Sequence, residues 1–255
     1  MEKKLKYPVL AYHKVTKQWE ISFTMLYPHT FERQMRYLEK KGYVGKSLRE
    51  YLADPKDNYF VLTFDDAYES VYKNAFPLLK ELGFTATVFV LTNYLGKNNT
   101  WDFTPGNIFS RHMDAEQLKI LHTAGWEIAS HGENHRAMTG MHPDSLMREL
   151  KHSKEVLTSM IGDEVETFCF PFGVYNAGVV AAAKASAYKN LVGFTEPSRY
   201  GVISRSAVYR VVDSRFSVLR KIRSCPLDLF FEGIKEGIFH SFSLLSRLKQ
   251  RIIKS

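Results

Sequence analysis

Residues 59–66 read Tyr59-Phe60-Val61-Leu62-Thr63-Phe64-Asp65-Asp66. The residues before the aspartates are aromatic, aliphatic or β-branched, which is typical of a buried strand. Two adjacent carboxylates at its end repel each other and resist removal from water, so a fold keeps them mainly where a cation or a proton transfer requires them. We therefore interpret Asp66 as a metal ligand and Asp65 as a base. The alternative is a turn or helix N-cap before residues 67–70, and this stretch alone does not decide between the two.

Strand-like and helix-like segments alternate along the rest of the chain. Strands are predicted at residues 7–13, 59–64, 86–91, 126–130, 167–170, 191–195 and 207–212. Helices are predicted at residues 29–41, 48–53, 71–82, 114–124, 143–161 and 176–188, with Pro77 delaying or bending the third. The alternation predicts an α/β fold with parallel strands and crossover helices, in a closed or nearly closed (β/α)7-8 barrel. An open doubly wound sheet is the alternative. No glycine-rich nucleotide fingerprint follows an early strand.

The length and composition favour one catalytic domain. The 255 residues are 45% hydrophobic, which suffices for a single α/β barrel. We assign residues 1–212 to the barrel and residues 213–255 to a C-terminal helical extension. Two cysteines are too few for a disulfide framework. The N-terminal apolar run, residues 9–12, is too short for a signal-peptide core, so we expect a cytoplasmic protein.

The positive charge is concentrated in the C-terminal part. Residues 199–255 contain twelve Lys or Arg and four Asp or Glu, whereas residues 1–198 contain 23 of each kind. Apolar residues recur near heptad spacing in residues 227–255, with basic residues between them. Such a segment packs on the barrel, docks a protein partner, or lies on an anionic surface such as the inner membrane face; packing or docking is favoured. The interleaving of aromatic and basic residues typical of nucleic-acid binding is absent outside this segment, so nucleic acid is not favoured as a partner.

Unusual polar residues fall at one place relative to the predicted strands, directly after the last strand residue. Parallel barrels assemble their sites at this end of the strands, so these residues are expected to face one another. A lone histidine in such a place is more often structural, but two histidines four residues apart and an Asp pair at the same end favour a site. The set comprises His13, Asp65, Asp66, Asn93, His131, His135, the turn 171–173, and Arg210.

Three of these residues form a plausible metal-ligand set. Asp66, His131 and His135 supply one carboxylate and two imidazoles and leave positions open for water and substrate. Zinc is favoured for such ligands, although iron, cobalt or nickel fit the same set. A bound ion would lower the pKa of its water and polarise a substrate carbonyl. Asp65 would then take the proton from that water.

Three motifs together resemble those of the polysaccharide deacetylases, also called NodB-homology or carbohydrate esterase family 4 proteins. They are Thr63-Phe64-Asp65-Asp66, Ser130-His131-Gly132-Glu133-Asn134-His135 and Phe168-Cys169-Phe170-Pro171-Phe172-Gly173. Residues 8–15 and 31–35 are similar to the branch that includes the poly-N-acetylglucosamine deacetylases. The resemblance implies a distorted (β/α) barrel and metal-dependent removal of an N-acetyl group from a sugar. It also implies that Asp65 is the base, that Asp66, His131 and His135 bind the metal, and that the Phe172 backbone N–H belongs to the oxyanion hole.

Two departures from the family pattern concern the residues that assist the Asp pair. Cys169 stands where the third motif commonly has an arginine that steers the base, and the later Leu-x-His motif that supplies the general acid is missing. The branch with the Tyr12-His13 start also tends to lack that arginine. We therefore consider His13 as the proton donor, with a structural histidine as the alternative. Arg210 is our candidate for supporting Asp65.

Aromatic and polar residues near the predicted site are candidates for binding a sugar. Trp101 with Asp102 is the favoured pair, Trp19 is a further aromatic face, and core packing is the alternative for Trp101. Asn93 and Pro171 complete the candidate substrate contacts. We expect the substrate to be an N-acetylated saccharide or a glycolipid precursor. The alternatives are an amide or imide hydrolase with a non-sugar substrate, and a catalytically silent barrel whose basic segment binds a membrane or a partner.

Overall fold

The computed structural model describes residues 8–18, 24–101, 109–194, 200–208 and 215–223. The strands of this part are β1 (Val9–Tyr12), β2 (Lys14–Val15), β3 (Met25–Leu26), β4 (Val44–Lys46), β5 (Tyr59–Phe64), β6 (Thr87–Val90), β7 (Glu127–Ser130), β8 (Thr167–Cys169), β9 (Asn190–Gly193), β10 (Ile203–Ser204) and β11 (Ser206–Ala207). Its α-helices are α1 (Pro28–Lys40), α2 (Leu48–Ala53), α3 (Glu69–Asn74), α4 (Phe76–Glu81), α5 (Ala115–Thr123), α6 (Pro143–Ile161), α7 (Ala177–Ala185) and α8 (Arg215–Ile222). Short 3₁₀ turns lie at Thr92–Tyr94 and Pro171–Gly173.

The main sheet is parallel and nearly closed. Its strands follow the order β10-β9-β8-β7-β6-β5-β1-β11, and β4 pairs with β5 beside this path. Only Arg205 separates β10 from β11, so the two ends of the path are neighbours in the chain. The backbone of Arg205 donates to Gly193, and that of Val208 donates to Ala11. This topology confirms the distorted (β/α)7-8 barrel and excludes the open doubly wound sheet.

Side-chain alternation along the strands separates a small barrel interior from a larger outer core. Because successive strand residues point to opposite faces, residues two apart share a side. The inner cluster contains Val9, Leu48, Val61, Phe89, Ala129, Cys169, Val192 and Ile203. The residues between these in sequence, such as Leu62, Val88 and Phe168, pack outward under the helices. The alternation that places Val61 and Ala129 inside also directs Asp65 and His131 into the barrel at its C-terminal end.

The helices begin and end at residues that explain their bounds. The side chain of Asp114 accepts from the Gln117 N–H at the start of α5, and Gly162 ends α6 with a left-handed φ of 74°. Helix α6 occupies the predicted range. The predicted helix at 71–82 is interrupted at Ala75, so that Pro77 lies in the first turn of α4, where its missing N–H costs no hydrogen bond.

The described part of the C-terminal extension packs on the barrel. Helix α8 contacts α1 and β1, and Lys221 donates to the Ala207 carbonyl at 2.6 Å. The division of the chain at residue 212 stays a prediction. Among the described residues, no helix combines the length and apolar character that crossing a membrane requires.

Candidate active site

Asp65 and Asp66 lie at the point where β5 ends, and both are buried. The Asp65 N–H donates to Tyr12 and extends the pairing with β1 by one residue. The backbone then turns sharply, with positive φ values of 65° at Asp66 and 50° at Ala67. Such values are costly for residues other than glycine, so the surrounding contacts must hold them. His112 Nδ1 donates to the Asp66 carbonyl at 2.6 Å, and the Met113 N–H donates to Ala67 at 2.7 Å.

The aspartates do not cap the following helix. Helix α3 begins at Glu69 with Tyr68 as its N-cap residue, and no side chain supplies the cap hydrogen bond. Asp65 and Asp66 therefore lie too early in the chain for the cap position. The helix-cap part of the alternative is wrong, whereas the aspartates do lie at a turn. The interpretation as a reactive pair stays a prediction.

Asp66, His131 and His135 bring three ligand atoms together. Oδ1 of Asp66 lies 3.4 Å from Nε2 of His135 and 3.7 Å from Nε2 of His131. Two atoms that each lie about 2.1 Å from a tetrahedral ion are about 3.4 Å apart, so the spacing suits one shared ion. All three side chains are buried. The donor set and its geometry fit a divalent metal.

Both histidines are held in the neutral form that a metal requires. Nδ1 of His131 lies 2.7 Å from the Cys169 carbonyl, and because a carbonyl only accepts, Nδ1 carries the proton and Nε2 keeps its lone pair. Burial lowers the pKa of His131 to about 4. Burial, with the nearby His131, lowers the pKa of His135 well below its usual value. No proton therefore has to leave these imidazoles at neutral pH.

A second potential ligand set, Asp65, His131 and Cys169, is less suitable. Both carboxylate oxygens of Asp65 accept from the guanidinium of Arg205. Burial raises the pKa of the Cys169 thiol well above its usual value, so the sulfur stays protonated. A metal needs the thiolate. The set built on Asp66 is therefore the better candidate.

Arg205 holds Asp65, and it is the site residue that the sequence analysis missed. Its Nη1 donates to Oδ1 of Asp65 at 2.6 Å and its Nη2 to Oδ2 at 2.9 Å, a two-point contact. Nη2 also lies 3.0 Å from Sγ of Cys169. The guanidinium is fully buried between the rings of Phe89 and Phe194. Asp65 thus pairs with an arginine that lies between β10 and β11 and is seated against Cys169.

Arg205 also sets the charge state of Asp65. Burial, the largest single influence, raises the pKa of this carboxyl, but the charge of Arg205, the nearby His13, the Arg205 hydrogen bonds and His131 together outweigh it and lower the pKa. The result is a pKa of about 2. Asp65 is therefore ionised at neutral pH and can accept a proton.

His13 lies beside Asp65, as its position after β1 predicts. Its Nε2 is 3.7 Å from Oδ2 of Asp65, and its side chain is 21% exposed. The histidine is thus close to Asp65 and reachable from solvent.

Several other predicted residues lie outside the described residues, so their roles stay predictions. They are Trp19, Asp102, Arg210 and residues 227–255.

An aromatic wall supports His135. Trp101 stacks on its ring with a centroid distance of 3.7 Å, and Phe172 contacts it edge-on at 4.4 Å. Trp101 is only 7% exposed, so the packing role considered as its alternative is present. Contact of Trp101 with a sugar stays a prediction. Phe172 has a φ of 59° within the 171–173 turn, and the oxyanion role of its N–H also stays a prediction.

Asn93 and Pro171 flank the histidine segment. The side-chain amide of Asn93 donates to Oδ1 of Asn134 at 2.9 Å, and the Asn93 N–H donates to the Glu133 carbonyl. Pro171 is buried at the start of the turn that carries Phe172. Asn93 is thus bonded to the segment between His131 and His135, and contact of Asn93 or Pro171 with substrate stays a prediction.

Two curated proteins illustrate what the chain is similar to. It is 27% identical over 231 residues to YxkH of Bacillus subtilis (strain 168), whose name assigns it provisionally to the polysaccharide deacetylases; the match covers 88% of this chain and 74% of that protein. It is 26% identical over 219 residues to the poly-beta-1,6-N-acetyl-D-glucosamine N-deacetylase of Staphylococcus aureus (strain MRSA252), covering 73% of each.

Solved structures show the same fold. The deacetylase PplD of Streptococcus pyogenes, in complex with acetate, superposes with a TM-score of 0.73 at 23% identity, covering 86% of this chain and 98% of that one. IcaB of Ammonifex degensii superposes with a TM-score of 0.71 at 19% identity, covering 85% and 97%.

A family model confirms the resemblance drawn from the three motifs. The model for polysaccharide deacetylases matches residues 53–191, more than half of the chain. The matched range includes the Asp pair, both histidines and the 171–173 turn. The chain therefore belongs to the polysaccharide deacetylase family.

Proposed function

We propose that this protein is a metal-dependent hydrolase that removes the N-acetyl group from an N-acetylated saccharide. The strongest support is the placement of two buried aspartates with different partners at one barrel end: Asp66 faces two neutral histidines, and Asp65 faces Arg205. One carboxylate is thereby available to a metal, and the other to a proton.

Asp66, His131 and His135 would hold the metal. When bound, a divalent ion such as zinc lowers the pKa of its water and polarises a carbonyl; iron, cobalt and nickel suit the same ligands. The protein's part is to present two Nε2 lone pairs and one carboxylate oxygen from a buried position.

Asp65 is the general base in this proposal. It takes a proton from the attacking water as the new carbon–oxygen bond forms at the acetyl carbonyl. Arg205 holds both carboxylate oxygens, which fixes the base in one orientation. The backbone N–H of Phe172 would donate to the carbonyl oxygen as it gains negative charge.

His13 supplies the proton that the leaving group needs. Breakage of the carbon–nitrogen bond leaves an amine that must be protonated, while the acyl group departs as acetate. His13 Nε2 is 3.7 Å from Asp65 and partly exposed, so it can reach both the base and a bound substrate. In this scheme the proton removed from water is replaced at the amine through His13.

The substrate class follows from the relatives. One is named for N-deacetylation of poly-beta-1,6-N-acetyl-D-glucosamine. We propose that this chain acts on an N-acetylglucosamine-containing oligosaccharide or glycolipid precursor, with Trp101, Asp102, Asn93 and Pro171 as the candidate contacts around it.

Acetate release from N-acetylglucosamine oligomers, with metal analysis of the purified full chain, tests the proposal. We expect a divalent metal near one per chain, loss of acetate release with a chelator, and recovery on adding zinc or cobalt. A protein that carries metal but releases acetate only from non-sugar amides would point to the amide or imide hydrolase. A protein without metal or turnover would overturn the proposal.

Asp65→Asn tests the role of the base. We expect the variant to keep its metal and lose about 10²–10⁴-fold in acetate release, the usual contribution of a general base. An unchanged rate would remove Asp65 from the mechanism.

For the basic segment 227–255 we propose contact with an anionic surface or a protein partner. Its support is the sequence pattern alone. Co-sedimentation with vesicles containing anionic lipid, with and without this segment, tests the membrane form. Equal binding by both proteins would exclude it.

A further inference from the structure

The segment that carries both histidine ligands folds into an unusual backbone shape. Gly132 has a φ of 85° and His135 a φ of 51°, so the chain is left-handed at two of five positions. Such a segment does not hold itself, since left-handed conformations cost energy at non-glycine residues. Contacts from other elements must therefore fix the distance between His131 and His135.

Glu149 of α6 makes the contacts at the centre of this segment. Its Oε2 accepts from the N–H groups of Glu133 at 2.8 Å and Asn134 at 3.3 Å. Its Oε1 accepts from the Asn134 side chain at 2.8 Å. Three neutral donors thus surround a carboxylate that is 3% exposed. Burying a charge without a cation is unfavourable, and within the described chain no ion pair involves Glu149, so its retention calls for a specific reason.

The close approach of Glu149 explains why residue 132 is glycine. A Cβ at this position would lie 3.3 Å from Oε2 of Glu149 and 3.4 Å from the methyl carbon of Met138. A side chain here would therefore push the carboxylate away as well as strain the backbone. The absence of a side chain at Gly132 therefore leaves the space that the Glu149 carboxylate occupies.

The same face of α6 also contacts Glu133 within the segment and Ser130 directly before it. Nδ1 of His152 donates to Glu133 at 2.6 Å, and the hydroxyls of Ser153 and Ser130 are 2.9 Å apart. Residues 149, 152 and 153 share a helix face because of the 3.6-residue period. The opposite side of the segment is bonded by the N–H groups of Thr92 and Asn93. The segment is therefore clamped from both sides.

We propose that Glu149 is a positioning residue that sets the geometry of the metal ligands without touching the metal. This inference rests on the proposed function, because it concerns the same two histidines. His131 is fixed independently by the Cys169 and Val90 carbonyls. The His135 ring packs against Trp101 and Phe172, and its backbone directly follows the residues that Glu149 holds. Loss of Glu149 therefore displaces His135 relative to His131.

The test compares metal binding by four full-length proteins: wild type, Glu149→Ala, Glu149→Gln and Glu127→Ala. Glu127 is the matched control, since it is another buried carboxylate held by three neutral donors, at the other barrel end. Zn²⁺ affinity is measured by competition with a chromophoric chelator, and the Co²⁺ absorption spectrum reports ligand geometry. Thermal unfolding in excess chelator reports stability separately.

We expect Glu149→Ala to bind Zn²⁺ about tenfold or more weakly, as is usual for residues that orient ligands, with an altered Co²⁺ spectrum. Glu149→Gln should recover most of the affinity, because its amide oxygen can accept from both backbone N–H groups. Glu127→Ala should lower the unfolding temperature while binding Zn²⁺ like wild type.

A folded Glu149→Ala protein with wild-type Zn²⁺ affinity and spectrum would overturn this inference alone. If Glu149→Ala does not fold, Glu149→Asp replaces it, since the shorter chain keeps the charge but withdraws the acceptor; unchanged affinity there has the same meaning. Failure of the wild type to bind Zn²⁺ or Co²⁺ would instead overturn the proposed function.

Discussion

At the N-terminal end of the strands, Glu127 accepts from the hydroxyls of Thr87 and Thr167, whereas at the C-terminal end Asp65 faces an arginine and Asp66 faces two imidazoles. Both ends bury carboxylates in the same barrel interior. Thr87, Glu127 and Thr167 are the first residues of β6, β7 and β8. Neutral donors surround the carboxylate at the N-terminal end, whereas an arginine and two imidazoles surround the carboxylates at the C-terminal end.

The difference distinguishes a structural carboxylate from a reactive one. Glu127 also accepts from the Arg49 N–H, so three donors that cannot leave or titrate use both of its oxygens. Hydrogen bonds of this kind stabilise a fold, and they leave neither carboxylate oxygen available for a reaction. The oxygen of Asp66 instead lies within 3.7 Å of the Nε2 atoms of two imidazoles. Burial alone identifies neither role; the type of partner does.

The largest expected effect comes from removing a ligand at the C-terminal end. His135→Ala should lose the metal and lower acetate release by more than about 10⁴-fold, since general-base catalysis has no activated water to act on. His122→Ala is the matched control, because His122 lies far from the ligands, near Asp163. Metal content and acetate release measure both. Full metal retention by His135→Ala would contradict the ligand assignment.

Arg205 gives the next largest effect. Arg205→Lys should keep the metal but lower kcat by about 10–100-fold, because one ammonium cannot hold both oxygens of Asp65. Arg205→Ala should cost about 3–5 kcal/mol in unfolding free energy, since it leaves a buried carboxylate without its cation.

Arg49→Lys is the control for Arg205, because the Arg49 guanidinium pairs with Asp163 where both side chains are about half exposed. It should change neither kcat nor stability measurably. If Arg205→Lys were as active as wild type, a single contact would suffice for the base.

At the structural end, Glu127→Ala should change stability without changing chemistry. Loss of this carboxylate leaves the buried hydroxyls of Thr87 and Thr167 without their acceptor and should cost about 1–3 kcal/mol in unfolding free energy. Urea unfolding and acetate release, measured on the same protein, separate the two effects. A large loss of turnover in the folded variant would break the contrast between the two ends.

The smallest effect concerns Glu50, beside the structural end, and depends on pH. Burial raises the pKa of this carboxyl, but hydrogen bonds from Thr85, Lys46 and Ser47 outweigh it and lower the pKa overall. A lowered folded-state pKa contributes stability above the unfolded-state value, and the contribution disappears as the pH falls through the folded-state value. Glu50→Gln should therefore be less stable than wild type by a few tenths of a kcal/mol at pH 7, since the group is partly exposed.

Urea unfolding of wild type and Glu50→Gln across the acid range checks this sign. The two curves should converge as the pH falls below about 4. A gap that widens towards acid pH would mean that Glu50 is not held as a carboxylate.

Local patterns predicted the barrel, and the three residues that they singled out as metal ligands lie together in the structure. Helix α6 and strand β5 have the predicted bounds, because each has a strong period and a clear end signal. These residues could be singled out because Asp66 is the second residue after β5, His131 directly follows β7, and His135 lies four residues beyond His131. Short strands such as β2, β3 and β4 were missed, since two or three residues carry no period.

The arginine that supports the base could not be identified in the same way. Arg205 meets Asp65 across 140 positions of sequence, and the contact depends on how the barrel closes. Its one local signal is that a lone arginine stands among the apolar and small residues 202–208. The Asp pair is similar in this respect, because it also directly follows an apolar run. The predicted last strand, 207–212, began too late to include it.

Because Arg205 lies at the junction between β10 and β11, late in the chain, the order of synthesis determines when its contact with Asp65 can form. The chain emerges from the ribosome with Asp65 early and Arg205 late. Until residue 205 has been added, Asp65 lacks the guanidinium that holds both of its carboxylate oxygens. Closure of the barrel and orientation of Asp65 therefore depend on the same stretch of chain, and a truncated chain that ends before residue 205 retains Asp66, His131 and His135 but lacks the partner of Asp65.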